Sequence, residues 1–370
     1  MSDTNNNNNS NNKVNVLLVG CGTPLKSMGG YHALQILDGR VPDAELGLVV
    51  EPWYFNEASK SAPGYDEFHA WRKEMEADRG VKFFSNVAEV PPPAEGELRL
   101  AIISARTADN PALLEACVAN GCKAIYLEKP GATTVKDLEA MRDTAEAAGT
   151  KVHMGFNKNI SSYLVKSREF ASSQGTKPDV TFLHNNNYPN TEEALTECFE
   201  RNAEGMLKNM AIHELALCVT YYGVTVDAIA SVVADKQYSS LQTLGGITDF
   251  DKLKFKIVTK GGAEISVAAD RCGGDDSVGI ITDSETGAEL ARFSMPDDET
   301  VANIPSLKEK YGDAMPYFFT QDPDYLELKN LVVQNFLKGT PATGVADIGV
   351  AIETLKVAEY LTPILQEQLR

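Results

Sequence analysis

The stretch VNVLLVG at Val14–Gly20 constrains this chain more than any other. Apolar at all but one position before the glycine, it has no polar face, so as a strand it must be covered on both sides. Strands of that kind form parallel sheets, joined by helical crossovers that cover the two faces. Comparable runs recur at Ala44–Val50, Leu98–Ser104, Lys123–Glu128 and Lys151–Phe156. Helical periodicity lies between them in GYHALQILDG, PALLEACVANG and TVKDLEAMRDTAEAAG. Asn110-Pro111 reads as an N-cap followed by proline at the first helical position, and Gly121 and Gly149 stand where C′ glycines belong. The pattern predicts an α/β fold, a doubly wound parallel sheet over residues 13–156.

The remainder, residues 157–370, has another rhythm. An amphipathic segment at Ile160–Ala171 precedes strand-like DVTFLHNNN and a helical stretch around Gly205–Tyr222. Five strand-like runs follow (VDAIASVVAD, LKFKIVTKGG, AEISVAAD, SVGIITDS, ELARFSM), joined by short Gly, Asp and Ser turns. Such spacing predicts a broad, mostly antiparallel sheet. Two helices close the chain, near Asp324–Lys338 and Ala346–Gln368, giving an α+β second domain. Residues 1–12 are an Asn-rich leader with too few apolar groups to offset ordering, and read as disordered.

Charge and cysteine usage narrow the function. The 34 basic and 52 acidic residues leave a net charge of −18, which repels phosphate backbones and anionic membranes, so no nucleic-acid or membrane partner is expected. No apolar run approaches the roughly 20 residues of a membrane span. The leader lacks a basic start and an apolar stretch, so a cytoplasmic location is expected. Six cysteines without CxxC pairs argue against a disulfide framework and a zinc site, so no metal is expected.

The glycines after the first strand carry the first chemical signal. Gly20 and Gly22 lie between strand and helix, the context in which glycines let backbone approach a pyrophosphate at a helix N-terminus. The third glycine of such a loop comes late, at Gly29 or Gly30, which implies a loop about four residues longer than the usual pattern. Glu51 ends the second strand, where an acid accepts from the adenosine ribose and repels a 2′-phosphate, so NAD is favoured over NADP. Thr23, Ser104 and Arg106 complete the expected cofactor contacts, with Glu128 and Lys129 at the carboxyl end of a later strand. Lys129, stiffened by Pro130, could polarise a hydroxyl or carbonyl oxygen beside a nicotinamide. Asn209 and His213, four apart, would share one face of a helix, and a partly buried histidine suits proton exchange with an alcohol. His32, His69, His153 and His184 read as structural or loop residues.

Together these segments resemble the glucose–fructose oxidoreductase and inositol dehydrogenase family (Gfo/Idh/MocA). The matching features are the opening strand–glycine loop–helix with His32, then Glu51, Glu128-Lys129-Pro130, the VHMGFNKN strand end and the helix with His213, in order over nearly the whole chain. The resemblance implies a Rossmann domain, and a C-terminal domain whose sheet faces the cofactor and often forms the subunit interface, hence a homodimer or homotetramer. It implies that Lys129 contacts the substrate oxygen and that His213 exchanges the proton. Asn157, Lys158, Asn187 and Tyr188 are candidate substrate contacts. Three features depart from the family pattern: the long glycine loop, Arg106-Thr107-Ala108-Asp109, and Asn209 where an aspartate is common. An amide there cannot raise the histidine's pKa by charge, and aspartate would. Two readings follow: an NAD(P)-dependent oxidoreductase acting on a sugar, polyol or related hydroxy compound, or a non-catalytic dinucleotide sensor of the same fold. Asn209 favours the second; retention of Lys129 and His213 favours the first.

Overall fold

The computed structural model describes residues 13–175, 177–312 and 314–370, so the Asn-rich leader lies outside the described residues. The first sheet holds β1 (Val14–Val19), β2 (Ala44–Val50), β3 (Lys82–Phe84), β4 (Arg99–Ile103), β5 (Ala124–Leu127) and β6 (Lys151–Met154). All pairs are parallel, in the order β3-β2-β1-β4-β5-β6, which is a Rossmann arrangement. Between these strands run α1 (Met28–Leu37), α2 (Tyr65–Arg79), α3 (Asn110–Ala119) and α4 (Val135–Ala147). The strand order reverses between β1 and β4, opening a crevice at their carboxyl ends.

The long glycine loop resolves into a definite geometry. Gly20 and Gly22 take φ of 79° and 62°, and Ser27 caps α1. Gly29 serves as the third glycine: a Cβ there would stand 2.2 Å from the Gly20 carbonyl oxygen, so helix and strand pack this closely only without a side chain. At the end of α3 and α4, Gly121 and Gly149 are left-handed, as the sequence predicted. The N-cap expectation shifts by one: Asp109 is the cap, and Asn110 donates to the Gly131 carbonyl at 2.9 Å, bracing the turn after β5.

After a 3-10 turn at Asn157–Ile160 come α5 (Ser162–Ser173), β7 (Asp179–Asn185), α6 (Glu192–Arg201), α7 (Met206–Asn209) and α8 (Ile212–Tyr222). Then follow β8 (Ile229–Ala234), β9 (Ser240–Leu244), β10 (Ile247–Thr259), β11 (Glu264–Asp270), β12 (Ser277–Thr282) and β13 (Glu289–Met295). The second sheet runs β13-β12-β7-β11-β10-β8, with β9 on β10, and is antiparallel except for β7 beside β11. The chain ends in α9 (Asp298–Tyr311), α10 (Pro316–Thr320), α11 (Asp322–Lys338) and α12 (Ile348–Leu369).

One apolar core passes through both halves, from Leu17, Ile103 and Leu127 of the first sheet to Leu215 of α8, Phe255 of β10 and Leu355 of α12. The helix α11, read from sequence with the second half, puts Leu328, Val332 and Val333 against Val16, Leu100 and Tyr126 of the first sheet. Its first residue Asp322 is buried and accepts both guanidinium arms of Arg40, at 2.8 and 2.5 Å. The late helices thus lock the second half onto the first. Among the described residues, no helix is long and apolar enough to cross a membrane.

Because Gly29 stands against the backbone of Gly20 and Cys21 just past β1, Gly29→Ala should lower unfolding stability by about 1–3 kcal/mol. Gly261→Ala, whose Cβ would meet nothing nearer than 3.8 Å, is the control and should be near neutral. Urea unfolding of both variants measures the difference.

Candidate active site

The crevice at the carboxyl ends of β1, β2 and β4 encloses about 1040 Å³ and is lined by Gly20, Gly22, Glu51, Trp53, Ser104 and Arg106, among others. Glu51 is buried, with Oε2 accepting from the Gly22 amide at 2.7 Å and Oε1 from the Trp53 amide at 3.1 Å. A carboxylate oxygen has room for a further donor, so Glu51 ties the glycine loop to β2 and still offers acceptors to a ribose. Half-exposed Trp53 and the Arg106 guanidinium, which donates to Asp109 at 2.9 Å, flank the opening. Thr23 lies outside this lining and its hydroxyl pairs with Tyr54 at 2.6 Å. A Cβ on Gly20 would stand 2.8 Å from the Ala105 Cα, and one on Gly22 2.7 Å from the Ser27 Oγ. The cradle therefore needs glycine at both positions, and it fits a dinucleotide pyrophosphate.

Glu128 ends β5 but turns inward. Its Oε1 pairs with His32 Nε2 at 2.9 Å and accepts from the Tyr126 hydroxyl at 3.2 Å, while Lys329 of α11 meets His32 Nδ1 at 2.9 Å. Burial, aided by Lys329, lowers the His32 pKa to about 4, and burial lowers that of Lys329 to about 7. Glu128, expected as a cofactor contact, is engaged inside the protein by His32 and Tyr126.

Lys129 follows, across a cis bond to Pro130, and its ammonium has no side-chain partner among the described residues. Burial lowers its pKa, opposed by Glu128, Glu204 and Glu214. His213, in the first turn of α8, is 6 % exposed, and its Nδ1 is buried without a hydrogen-bond partner. Burial first, then the charges of Lys129 and Lys158, push its pKa well below the usual histidine value. The charge of Lys129, from the first half of the chain, thus acts on His213, from the second.

What presses α8 into place is a buried ion pair. Glu214, fully buried, accepts from Lys158 Nζ at 2.7 Å and pairs with His184 Nδ1 at 3.2 Å. Burial alone would raise the Glu214 pKa, but Lys158 and His184 override it and hold the carboxyl well below the usual range. Lys158, expected to touch ligand, is thus committed to Glu214. His184, read as structural, is joined to the site through Glu214. Neither role was visible in spacing, since the three residues come from a 3-10 turn, a strand and a helix.

Other expectations change as well. Asn209 and His213 do not share one helix: α7 stops at Asn209 and α8 begins at Ile212. The Met210 carbonyl between them pairs with His184 at 3.0 Å, a bond that interrupts the helix. The Asn209 amide donates to Glu204 Oε1 at 2.8 Å. An aspartate at 209 would lose that donated hydrogen bond and face the Glu204 carboxylate instead. Asn157 is buried, with Nδ2 on Gln321 at 3.0 Å and Oδ1 unpartnered. Asn187 is exposed, and burial, with the nearby Cys198 of α6, raises the Tyr188 phenol.

The fold is a Rossmann-type sheet whose crevice fits a dinucleotide, joined to an α+β half. Residues 14–156 match the model of the Gfo/Idh/MocA family, described as an oxidoreductase family with an NAD-binding Rossmann fold. Solved structures of similar fold span both halves. A probable dehydrogenase from Thermotoga maritima is 17% identical, with TM-score 0.67, covering 96% of this chain and 98% of that one. A myo-inositol dehydrogenase from Corynebacterium glutamicum is 16% identical, with TM-score 0.65 and 96% of each chain covered. A scyllo-inositol dehydrogenase from Lactobacillus casei, solved with NAD(H) and scyllo-inositol, is 13% identical, with TM-score 0.65 and 96% of each chain covered. No curated protein sequence matches the chain.

Removing one member of a buried pair leaves the other charge uncompensated. Glu214→Gln should therefore cost about 3–5 kcal/mol. Urea titration of wild type and variant checks this; equal midpoints would remove Glu214 from its anchoring role.

Proposed function

We propose that the chain is an NAD-dependent dehydrogenase that moves a hydride between nicotinamide and a CH–OH carbon of a sugar, polyol or related hydroxy compound, with Lys129 and His213 at the reacting oxygen. The observation that carries this reading is the charge of Lys129 acting on His213: a lysine without an ion-pair partner and a histidine with an unpartnered ring nitrogen, both made less basic by burial. Nicotinamide, when bound, accepts or returns the hydride. The chain supplies the rest. His213, neutral at pH 7, takes the hydroxyl proton as oxidation proceeds. Lys129 donates to the same oxygen, favouring the negative charge that develops there. Residues 13–156 act as the cofactor half and 157–370 as the substrate half. The inositol bound by the Lactobacillus casei structure supports a polyol as substrate.

A homodimer or homotetramer through the second sheet belongs to the same proposal. The ion pairs Lys252–Asp270, Lys254–Asp235 and Lys256–Glu264 on that sheet would make such an interface polar. Sedimentation at rising salt would show whether an oligomer exists and weakens as those charges are screened.

Two predictions test the chemistry. Wild type should bind NAD(H) at least about 10-fold more tightly than NADP(H), a difference of roughly 1.4 kcal/mol. Glu51→Gln, which keeps an acceptor for Gly22 but loses the charge, should narrow that gap in fluorescence titrations; a preference for NADP(H) in wild type would remove Glu51 from the role. Lys129→Ala should lower kcat by about 10²–10⁴ with cofactor affinity within a few-fold. In the oxidative direction kcat/KM should rise with pH through a limb below about 6.5, because only neutral imidazole accepts the proton. His213→Ala should abolish that limb, and an unchanged profile would assign the base elsewhere.

A further inference from the structure

A second cleft, of about 660 Å³, opens where the start of α5, the end of β13, the start of α9 and the α10–α11 junction meet. It shares no lining residue with the dinucleotide crevice. Its walls carry three carboxylates, Asp297, Glu299 and Asp324, and no lysine or arginine among the described residues. Asp297 is committed within the protein: Oδ1 caps α9 through the Thr300 amide at 3.0 Å, and Oδ2 accepts from Ser162 at 3.2 Å and Lys166 at 3.5 Å. Asp324 differs. It stands in the first turn of α11, is 8 % exposed, and its Oδ2 is buried without a hydrogen-bond partner. The Ser161 hydroxyl beside it donates to Met295 Sδ at 3.6 Å. Burial raises the Asp324 pKa to about 7, against Ser161 and Lys158, which favour the charged form. A carboxylate buried to this degree is costly unless a donor or an opposite charge meets it.

We propose that this cleft is a binding site for a small organic ammonium, whose N–H groups donate to Asp324 while its methylenes lie along Met295, Ala302 and Pro323. Exposed Glu299 adds negative charge at the rim, and Asn303 and Thr320 offer neutral acceptors, which suits a group with three donors. The apolar stretch of wall separates such a ligand from a bare cation. A metal ion is not the occupant: among the described residues, no three histidine, cysteine or carboxylate side chains are arranged to hold one. The proposal stands apart from the oxidoreductase reading and does not need it.

The test titrates putrescine into the full chain by isothermal calorimetry, with butanediol as the uncharged control of equal length. Mildly alkaline buffer keeps Asp324 ionised. Wild type should bind putrescine saturably, at one site per chain, and about 10-fold or more tightly than the diol, the scale of a hydrogen bond between charged groups. Asp324→Asn keeps the shape of the side chain and removes its charge, and should weaken putrescine binding about 10-fold or more with the circular dichroism unchanged. Ala302→Phe, at an exposed helix position, fills the cleft without touching Asp324 and should weaken binding as well, which keeps the test decisive if Asp324→Asn fails to fold. Glu285→Gln, an exposed acid on a turn away from the cleft, should bind as wild type does. Absence of saturable putrescine binding, equal binding of the diol, unchanged binding in either cleft variant, or an equal loss in Glu285→Gln would each overturn the proposal.

Discussion

Everything at the site depends on a charge buried where charges are costly. Glu214 lies inside α8, and it is tolerable there because Lys158, just past β6, and His184, on β7, both meet it. These three residues come from the first sheet's exit, the second sheet and the helix between them. Meeting at Glu214, they fix the rotation of α8, and so fix His213, its immediate neighbour in sequence. The cluster also bears on the electrostatics: burial first, then the charges of Lys129 and Lys158, lowers the His213 pKa. Structural anchor and chemical tuning are one arrangement.

The late helices supply the rigidity this needs. The helix α11 returns to cover β1, β4 and β5, its Asp322 gripped by Arg40 and its Lys329 reaching His32 behind Glu128. The helix α12 packs among α8, α4 and β6 and continues the shared core. A lysine at the end of β5 and a histidine on α8 can hold a common geometry because a continuous apolar core joins their elements, whereas a mobile linker would blur it.

Much of this was legible in the sequence, and the rest was not, for physical reasons. The strands β1, β4 and β5 announce themselves as runs with no polar face, and β2 and β6 as short apolar runs in the same rhythm. Gly20, Gly22, Gly29 and Glu51 announce the crevice, since only glycine fits where backbones nearly touch. β3, three residues long, and α2, which buries only Phe68 and Met75, carry too little apolar pattern to be read. The interruption between Asn209 and His213 was hidden because no glycine or proline marks it; its cause is a side chain on a distant strand, His184, reaching the Met210 carbonyl. Lys158 looked like a ligand contact because a lysine at a strand end usually faces solvent, and only the fold shows Glu214 opposite it.

Hydride transfer itself can be followed directly. Purified protein with NAD and inositols, or sugars deuterated at the carbinol carbon, should develop the reduced-nicotinamide absorbance band, and the deuterium should appear at nicotinamide C4 in NMR spectra of the recovered cofactor. The Lys129–His213 site predicts that transfer, along with its loss in Lys129→Ala. Tight NAD binding with no reduction across the whole panel would contradict it and leave the chain as a dinucleotide-binding protein that performs no turnover.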